Sequence, residues 1–346
     1  HIATRCRKAF AISPVGLTIT IVVDPITKFV SIGIDVVIII VNWNGRDDTL
    51  ACLQSVSSLE YTNFRVIVVD NGSQDDSAGA IRAAYPDVKL TETHENLGFA
   101  EGNNVAIRQA LDSDYILLLN NDTTVDPGLL GSMISSAESD PEAGVIGPVI
   151  CYADRKDTVW CAGLQIGRGS SYGIPLQYTS SLLMYEGRPV REVPHQPFEV
   201  DAVVGCAMLM RTSVVREIGL LDASLFMIHE DFDWSLRARE AGYRCMTVPG
   251  AGVLHRVSSS IQVQEKERRG NPFSIYYWYR NWLMVVKKHF GRKAMVSIAL
   301  MYTFHLFPRL IIQNIRQSEF SLTVCAAYLL AVTDACLGTL KSRFLR

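Results

Sequence analysis

From Asp35 onward, runs of β-branched residues alternate with segments of helical spacing. "VVIIIVNWN" is apolar at consecutive positions, as expected of a strand buried on both faces of a parallel sheet. In "RDDTLACLQSVSSL", Leu50, Leu53 and Val56 share one helical face. "FRVIVVDNGSQDDS" gives a second strand and a turn, and "AGAIRAAY" a second helix. "VKLTETHENLGFAEGNNVAIRQAL" predicts a short strand, a polar glycine loop and a helix, and "YILLLNND" is the fourth strand. This order predicts βαβ units with right-handed crossovers, a Rossmann-like, mostly parallel sheet flanked by helices.

Three of these strands end on side chains that carry amides or carboxylates: Asn42 and Asn44, Asp70 and Asn71, and Asn120 with Asp122. Sheets of this type bind ligands beyond the carboxyl ends of their strands, so the three ends define one expected rim. Beyond the fourth strand the pattern loosens. "AGVIGPVICY" reads as a strand, residues 155–200 as loops or a lid, and "VDAVVGCAMLMRTSVVREIGLLD" as strand, turn and short helix. "FMIHEDFDWSLRAREAGY" enters a helix through a charged turn and leaves it at Gly242. "RCMTVPGAGVLHRVSSS" is extended, with His255 at its end.

The last stretch changes character. "NPFSIYYWYRNWLMVVKKHFG" is aromatic and basic, and two long apolar segments follow, interrupted by Pro308 and Arg309 and by Asp334. They are expected to lie in or on a membrane, because a lone lipid-facing helix would bury those polar groups at a cost; a soluble helical subdomain and two true spans are the alternatives. At the other end, Arg5, Arg7 and Lys8 precede an apolar run that Pro14 and Gly16 break, so residues 1–34 read as a leader of doubtful role. Composition adds limits. The 346 residues are 48% hydrophobic with net charge −2, ample for a large core and without the basic footprint of a nucleic-acid binder. Eight scattered cysteines without a CxxC read as reduced core residues in a reducing compartment.

The rim lacks G-x-G-x-x-G and GxxxxGK[ST]. Asn120-Asn121-Asp122 instead supplies hard oxygens suited to Mg2+ or Mn2+, or else an Asx turn. Glu230 and Asp231 open a helix, either as dipole-stabilised surface acids or with Asp231 as a general base whose pKa a neighbouring Glu230 raises. His255 ends its apolar segment as Asp122 does, and is either structural or a further ligand of the same ion.

Together, "VVIIIVNWNG", "VIVVDNGSQDDS", "ENLGFAEGNN", "LLLNNDT", "GCAMLMRTSVVREIGLLD", "HEDFDWSLRAREAGY" and "VLHRVSSS" resemble, in order, the motifs of family 2 glycosyltransferases, and most resemble a bacterial rhamnosyltransferase-like subgroup. The likeness spans Asp35 to Phe290, and "YYWYRNW" resembles the aromatic-Arg-Asn motif that follows the catalytic domain there. It implies a GT-A fold over 35–265, with a nucleotide-binding half (35–130), an acceptor-binding half (131–265) and an appended helical tail (266–346). Asn120-Asn121-Asp122 corresponds to the family's Asp-x-Asp metal site, with Asn120 in place of its first aspartate. The resemblance further implies metal ligands Asp122 and His255, catalytic Asp231 and Glu230, and nucleotide-sugar contacts at Asn42, Asn44, Asp70, Asn71, Asn96, Gly98, Asn103, Asn120 and Arg280. The implied reaction is inverting, non-processive transfer from a nucleoside-diphosphate sugar, dTDP-rhamnose or a UDP-sugar, to a glycan or polyprenyl-linked glycan. It would serve cell-surface polysaccharide synthesis at the inner face of the cytoplasmic membrane, with peripheral membrane contact through the tail. Alternatives are a catalytically inactive nucleotide-sugar binder and a nucleotidyltransferase on a related sheet. A processive synthase would need a Gln-x-x-Arg-Trp motif, which is absent.

Overall fold

Strand β1 (Val36–Asn42) is the hub. It pairs in parallel with β2 (Phe64–Asp70) on one side and β4 (Tyr115–Asn120) on the other, and β3 (Lys89–Glu92) extends the sheet beyond β2. The residues are β-branched because both faces of the sheet are covered. Val36, Ile38 and Ile40 pack with α1 (Arg46–Val56) and α4 (Leu129–Ser139). Val37 and Ile39 face the opposite core, which α3 (Gly98–Ile107), α5 (Thr212–Ile218) and α6 (Glu230–Glu240) help to build. Helix α2 (Ser77–Ala84) connects β2 to β3. The structure, a computed structural model, describes residues 33–171, 174–256, 271–316 and 321–338. The expected leader therefore lies outside the described residues but for its last two positions.

The second half completes a mixed sheet. Strand β11 (Ala207–Arg211) runs antiparallel to both β4 and β6 (Ala143–Tyr152). Beside β6 lie β12 (Arg244–His255), parallel, and β7 (Val159–Cys161), antiparallel. The short β5 (Thr123–Val125) and β10 (Phe198–Val200) pair antiparallel with β12. The parallel pattern expected from the first half thus holds for β1 to β4 and gives way at β11. Within 155–200, where loops were expected, β8 (Leu164–Ser171) and β9 (Ile174–Leu183) form a two-stranded hairpin. The hairpin rests on the tail: Trp282 Nε1 donates to the Tyr178 carbonyl at 2.8 Å, and the Tyr302 hydroxyl donates to that of Thr179 at 3.1 Å.

The tail is helical. Helix α7 (Pro272–Met301) starts at an Asn271 cap and is broken by Gly291 at φ 87°, a left-handed conformation that favours glycine. A π-turn (Tyr302–Leu306) leads into α8 (Phe307–Arg316), and α9 (Leu322–Leu337) packs back on α7. Among the described residues, no helix is long and apolar enough to cross a membrane. Six of the cysteines are buried free thiols.

Candidate active site

Register gathers the polar strand ends. Asn42 lies opposite Asp70, and Val41 opposite Asn120, so the ends of β2, β1 and β4 are adjacent. Asn42 organises them. Its Nδ2 donates to Asp70 Oδ1 at 2.8 Å and to Ser73 Oγ at 3.0 Å. Its Oδ1 accepts from the Thr49 hydroxyl at 2.8 Å, the Gly45 N–H at 3.1 Å and Asn121 Nδ2 at 3.3 Å. Asn42 and Asn121 are therefore committed to shaping the rim. The Ser73 N–H donates to the other Asp70 oxygen at 3.2 Å. Asn44, at φ 52°, accepts from the Gln74 N–H at 2.7 Å. Between these two asparagines Trp43 stands 57% exposed.

Asn71 ties this corner to the glycine loop. Its Oδ1 accepts from the Leu97 N–H at 3.0 Å, and its Nδ2 donates to the Gly98 carbonyl at 3.1 Å. Asn96 caps the Gly98 N–H at 2.9 Å. Gly98 has φ 79°, and a Cβ there would sit 2.5 Å from the Phe226 ring. Asn103 turns back onto its own helix, donating to the Phe99 carbonyl at 2.8 Å.

Strand pairing also brings Asp122 and His255 together. His255 lies opposite Thr123 in the β5–β12 pair, and the Arg256 N–H donates to the Asp122 carbonyl at 2.9 Å. His255 Nε2 and Asp122 Oδ1 are 3.1 Å apart without the alignment of a hydrogen bond. His255 Nδ1 and Asn120 Oδ1 are also buried without a hydrogen-bond partner. Two cis ligands of an octahedral ion, each about 2.1 Å from the metal, stand about 3 Å apart. The pair therefore fits a hard divalent cation such as Mg2+ or Mn2+, as the orphaned oxygens do. No cluster of three His, Cys, Asp or Glu side chains forms a site among the described residues. That matches an ion which keeps waters and binds substrate phosphates.

Asp231 opens α6. Its Oδ2 accepts from the Gly205 N–H and its Oδ1 from the Phe232 N–H, each at 2.7 Å. One residue on, the Cys206 carbonyl accepts from the Asn120 N–H at 2.9 Å. Two consecutive residues, Gly205 and Cys206, thus bridge Asp231 to the Asn120–Asp122 turn. Burial raises the Asp231 carboxyl above its ordinary range, and the two N–H donors only partly offset this. For Glu230, burial first and the Asp231 charge second push the carboxyl well above the usual range. The two adjacent carboxyls thus share a buried site that disfavours charge on both. Glu230 is buried, and its Oε2 has no hydrogen-bond partner.

Arg280 does not join the rim residues. It is fully buried on α7, where its guanidinium donates to the Ser224 carbonyl at 3.2 Å and to Asn281 Oδ1 at 2.8 Å. It has no exposed surface to offer a diphosphate. The loop it holds leads into Asp231 and is strained: Phe226, Ile228 and His229 have φ of 61°, 70° and 72°. Each such non-glycine residue costs about 1–3 kcal/mol, and a β-branched one is especially rare there. Sequence reasoning missed Gly205, Ser73 and Thr49. Only Gly205 left a trace, as a glycine directly before the apolar run of β11.

A mixed α/β sheet with this rim is a GT-A glycosyltransferase fold. Two solved structures share it: the mannosyltransferase PcManGT from Pyrobaculum calidifontis with GDP-Man and Mn2+ (TM-score 0.53, 13% identity, 88% of this chain and 87% of that one) and GalNAc-T7 with UDP, GalNAc and Mn2+ (TM-score 0.54, 14% identity, 73% and 48%). The model of "Glycosyl transferase family 2" matches residues 37–219, more than half of the chain, and the chain belongs to that family. Its relatives include the N-acetylglucosaminyl-diphospho-decaprenol L-rhamnosyltransferase of Mycobacterium tuberculosis, 28% identical over 60% of this chain and 71% of that protein. The O-antigen biosynthesis protein RfbC of Myxococcus xanthus is 26% identical over 71% of this chain but 19% of its own length. The low-salt glycan biosynthesis hexosyltransferase Agl10 of Haloferax volcanii is 23% identical over 75% and 77%.

Proposed function

We propose that this glycosyltransferase moves a hexose, with dTDP-rhamnose or a UDP-sugar as donor, to a hydroxyl of a glycan or polyprenyl-linked glycan, inverting the anomeric centre. One observation carries the mechanism: the Gly205–Cys206 backbone holds Asp231 beside the Asn120–Asp122 turn. Residues 35–130 form the donor-binding half, with Asp70 reading the nucleobase and exposed Trp43 offering it a stacking face. Residues 131–265 form the acceptor-binding half. Asp122 and His255 would hold Mg2+ or Mn2+, and Asn120 would contact the ribose or diphosphate. When bound, the cation supplies positive charge to the departing diphosphate.

Asp231 does the proton work. Its raised pKa suits a base that takes a proton from the acceptor hydroxyl near neutral pH. The Gly205 and Phe232 N–H groups fix both carboxylate oxygens, so the base is oriented before the acceptor arrives. The acceptor oxygen then attacks the anomeric carbon opposite the leaving diphosphate, and no enzyme nucleophile is required. For Glu230, burial and the neighbouring Asp231 charge push the carboxyl upward, which disfavours a second charge beside Asp231.

The tail is proposed to rest on the inner face of the cytoplasmic membrane. The exposed positions of α9 are Leu, Thr, Ala and Cys, and its one charged residue, Asp334, is buried against the Tyr276 hydroxyl at 2.7 Å. A nucleotide-sugar panel run with Mg2+, with Mn2+ and with chelator tests the enzymatic reading. Metal-dependent turnover of at least one donor is expected. Absence of both binding and turnover for every donor, with and without metal, would refute it.

A further inference from the structure

We infer that Asn281, locked by Arg280, is a positioning residue that holds the loop before Asp231 in its reactive shape. The inference rests on Asp231 being the base. Asn281 Nδ2 lies within hydrogen-bond distance of three backbone carbonyls of that loop, Leu225 at 2.7 Å, Met227 at 2.8 Å and Ile228 at 2.8 Å, so its two N–H groups serve three acceptors with one hydrogen shared. Its Oδ1 accepts from Arg280 Nη1 at 2.8 Å. A guanidinium only donates and carbonyls only accept, so the orientation of the amide is determined by its partners. Both side chains are fully buried.

The held segment does not keep this shape by local preference. The Met227 N–H closes onto the Leu225 carbonyl at 2.7 Å around Phe226, whose φ of 61° and ψ of −64° form the rare positive-φ γ-turn. Ile228 and His229 follow in left-handed conformations, and Glu230 and Asp231 come next. The same loop meets the glycine loop of the donor half: the Ala100 N–H donates to the Phe226 carbonyl at 3.0 Å, and the Phe226 ring covers Gly98. It also stacks on Tyr277 of α7 at 5.2 Å. Asn281 is thus the point where the C-terminal helix sets the approach of the base to the donor site.

The test compares Asn281→Ala and the milder Arg280→Lys with the parental enzyme, measuring melting temperature, donor affinity, kcat and its pH profile. Both variants should lower kcat by about tenfold to a hundredfold, as expected when a reacting group is displaced by about 1 Å. Donor affinity should stay near parental. The acid limb of kcat should move to lower pH, because a relaxed loop admits water to Asp231. A merely structural role would not move that limb. A parental kcat and acid limb in either folded variant overturns the inference, as does a kcat loss matched by an equal loss of donor affinity with the acid limb unmoved. Asp231→Asn separates the two claims. If it transfers sugar at the parental rate, the base assignment fails. If it is inactive while Asn281→Ala is parental, only the positioning role fails.

Discussion

At the residue scale, the proposed mechanism turns on one carboxylate, Asp231, whose environment sets its proton affinity. Burial raises the Asp231 pKa, so its proton leaves later on the way up in pH. The acid limb of kcat should therefore lie above the ordinary aspartate value of about 3.9. A limb at or below that value in a transfer assay across pH would contradict the base assignment. The rim was legible in the sequence because an apolar strand that ends on Asn or Asp can only present those groups at its end. What was not legible was burial. Adjacency of Glu230 and Asp231 was plain, but not that both carboxyls lie deep enough for desolvation to raise them. Gly205 and Ser73 were hidden for a related reason. Their part is made of backbone and hydroxyl contacts to residues far along the chain, and sequence spacing carries no record of these.

At the element scale, two contacts tie together segments distant in the chain. Gly98 has φ 79° and no room for a Cβ against Phe226. Gly98→Ala should destabilise the fold by about 2–4 kcal/mol through strain and overpacking. Urea melts read this directly, and a change below about 0.5 kcal/mol would show that the contact carries little. The second contact joins α6 to α7. Asp233, fully buried, meets Arg237 at 3.0 Å, Lys288 at 2.8 Å and His289 at 2.9 Å. Burial lowers the His289 pKa, but its bonds to Asp233 and Glu240 outweigh that and hold it above 6.5. A raised histidine stabilises fully below its unfolded pKa and loses that contribution as pH rises through the folded one. The parental melting temperature should thus fall on the alkaline side of 6.5, and His289→Gln should flatten that slope. An unchanged slope in the variant would rule the lock out. The sequence announced α6 through its charged turn and Gly242, and the tail through its aromatic, basic and long apolar stretches. It hid the hairpin of β8 and β9, whose strands alternate only in part, carry Gly167, Gly169, Pro175 and four serines, and meet α7 through Trp282.

At the scale of the whole molecule, a GT-A sheet is joined to a helical layer that both packs on the loop before Asp231 and exposes an uncharged face. Val296, Leu300 and Phe304 form an exposed line on that layer, with Arg292 and Lys293 before it and Arg309 beyond it. That arrangement suits an anionic bilayer surface. Sedimentation with phosphatidylglycerol vesicles should carry the enzyme down, and Leu300→Asp with Phe304→Asp should release it. Equal sedimentation of parent and variant would remove this face from consideration. The apolar tail was visible in the sequence, but which residues face outward depends on how α7 and α9 pair, and composition does not fix that. The central claim is that Asp231 draws the acceptor proton at a rim whose donor site is built separately. The most direct measurement is single-turnover transfer by Asp231→Asn, with donor affinity determined on the same sample. Transfer should fall by about a thousandfold or more with donor affinity near parental; transfer at the parental rate would rule out Asp231 as the base.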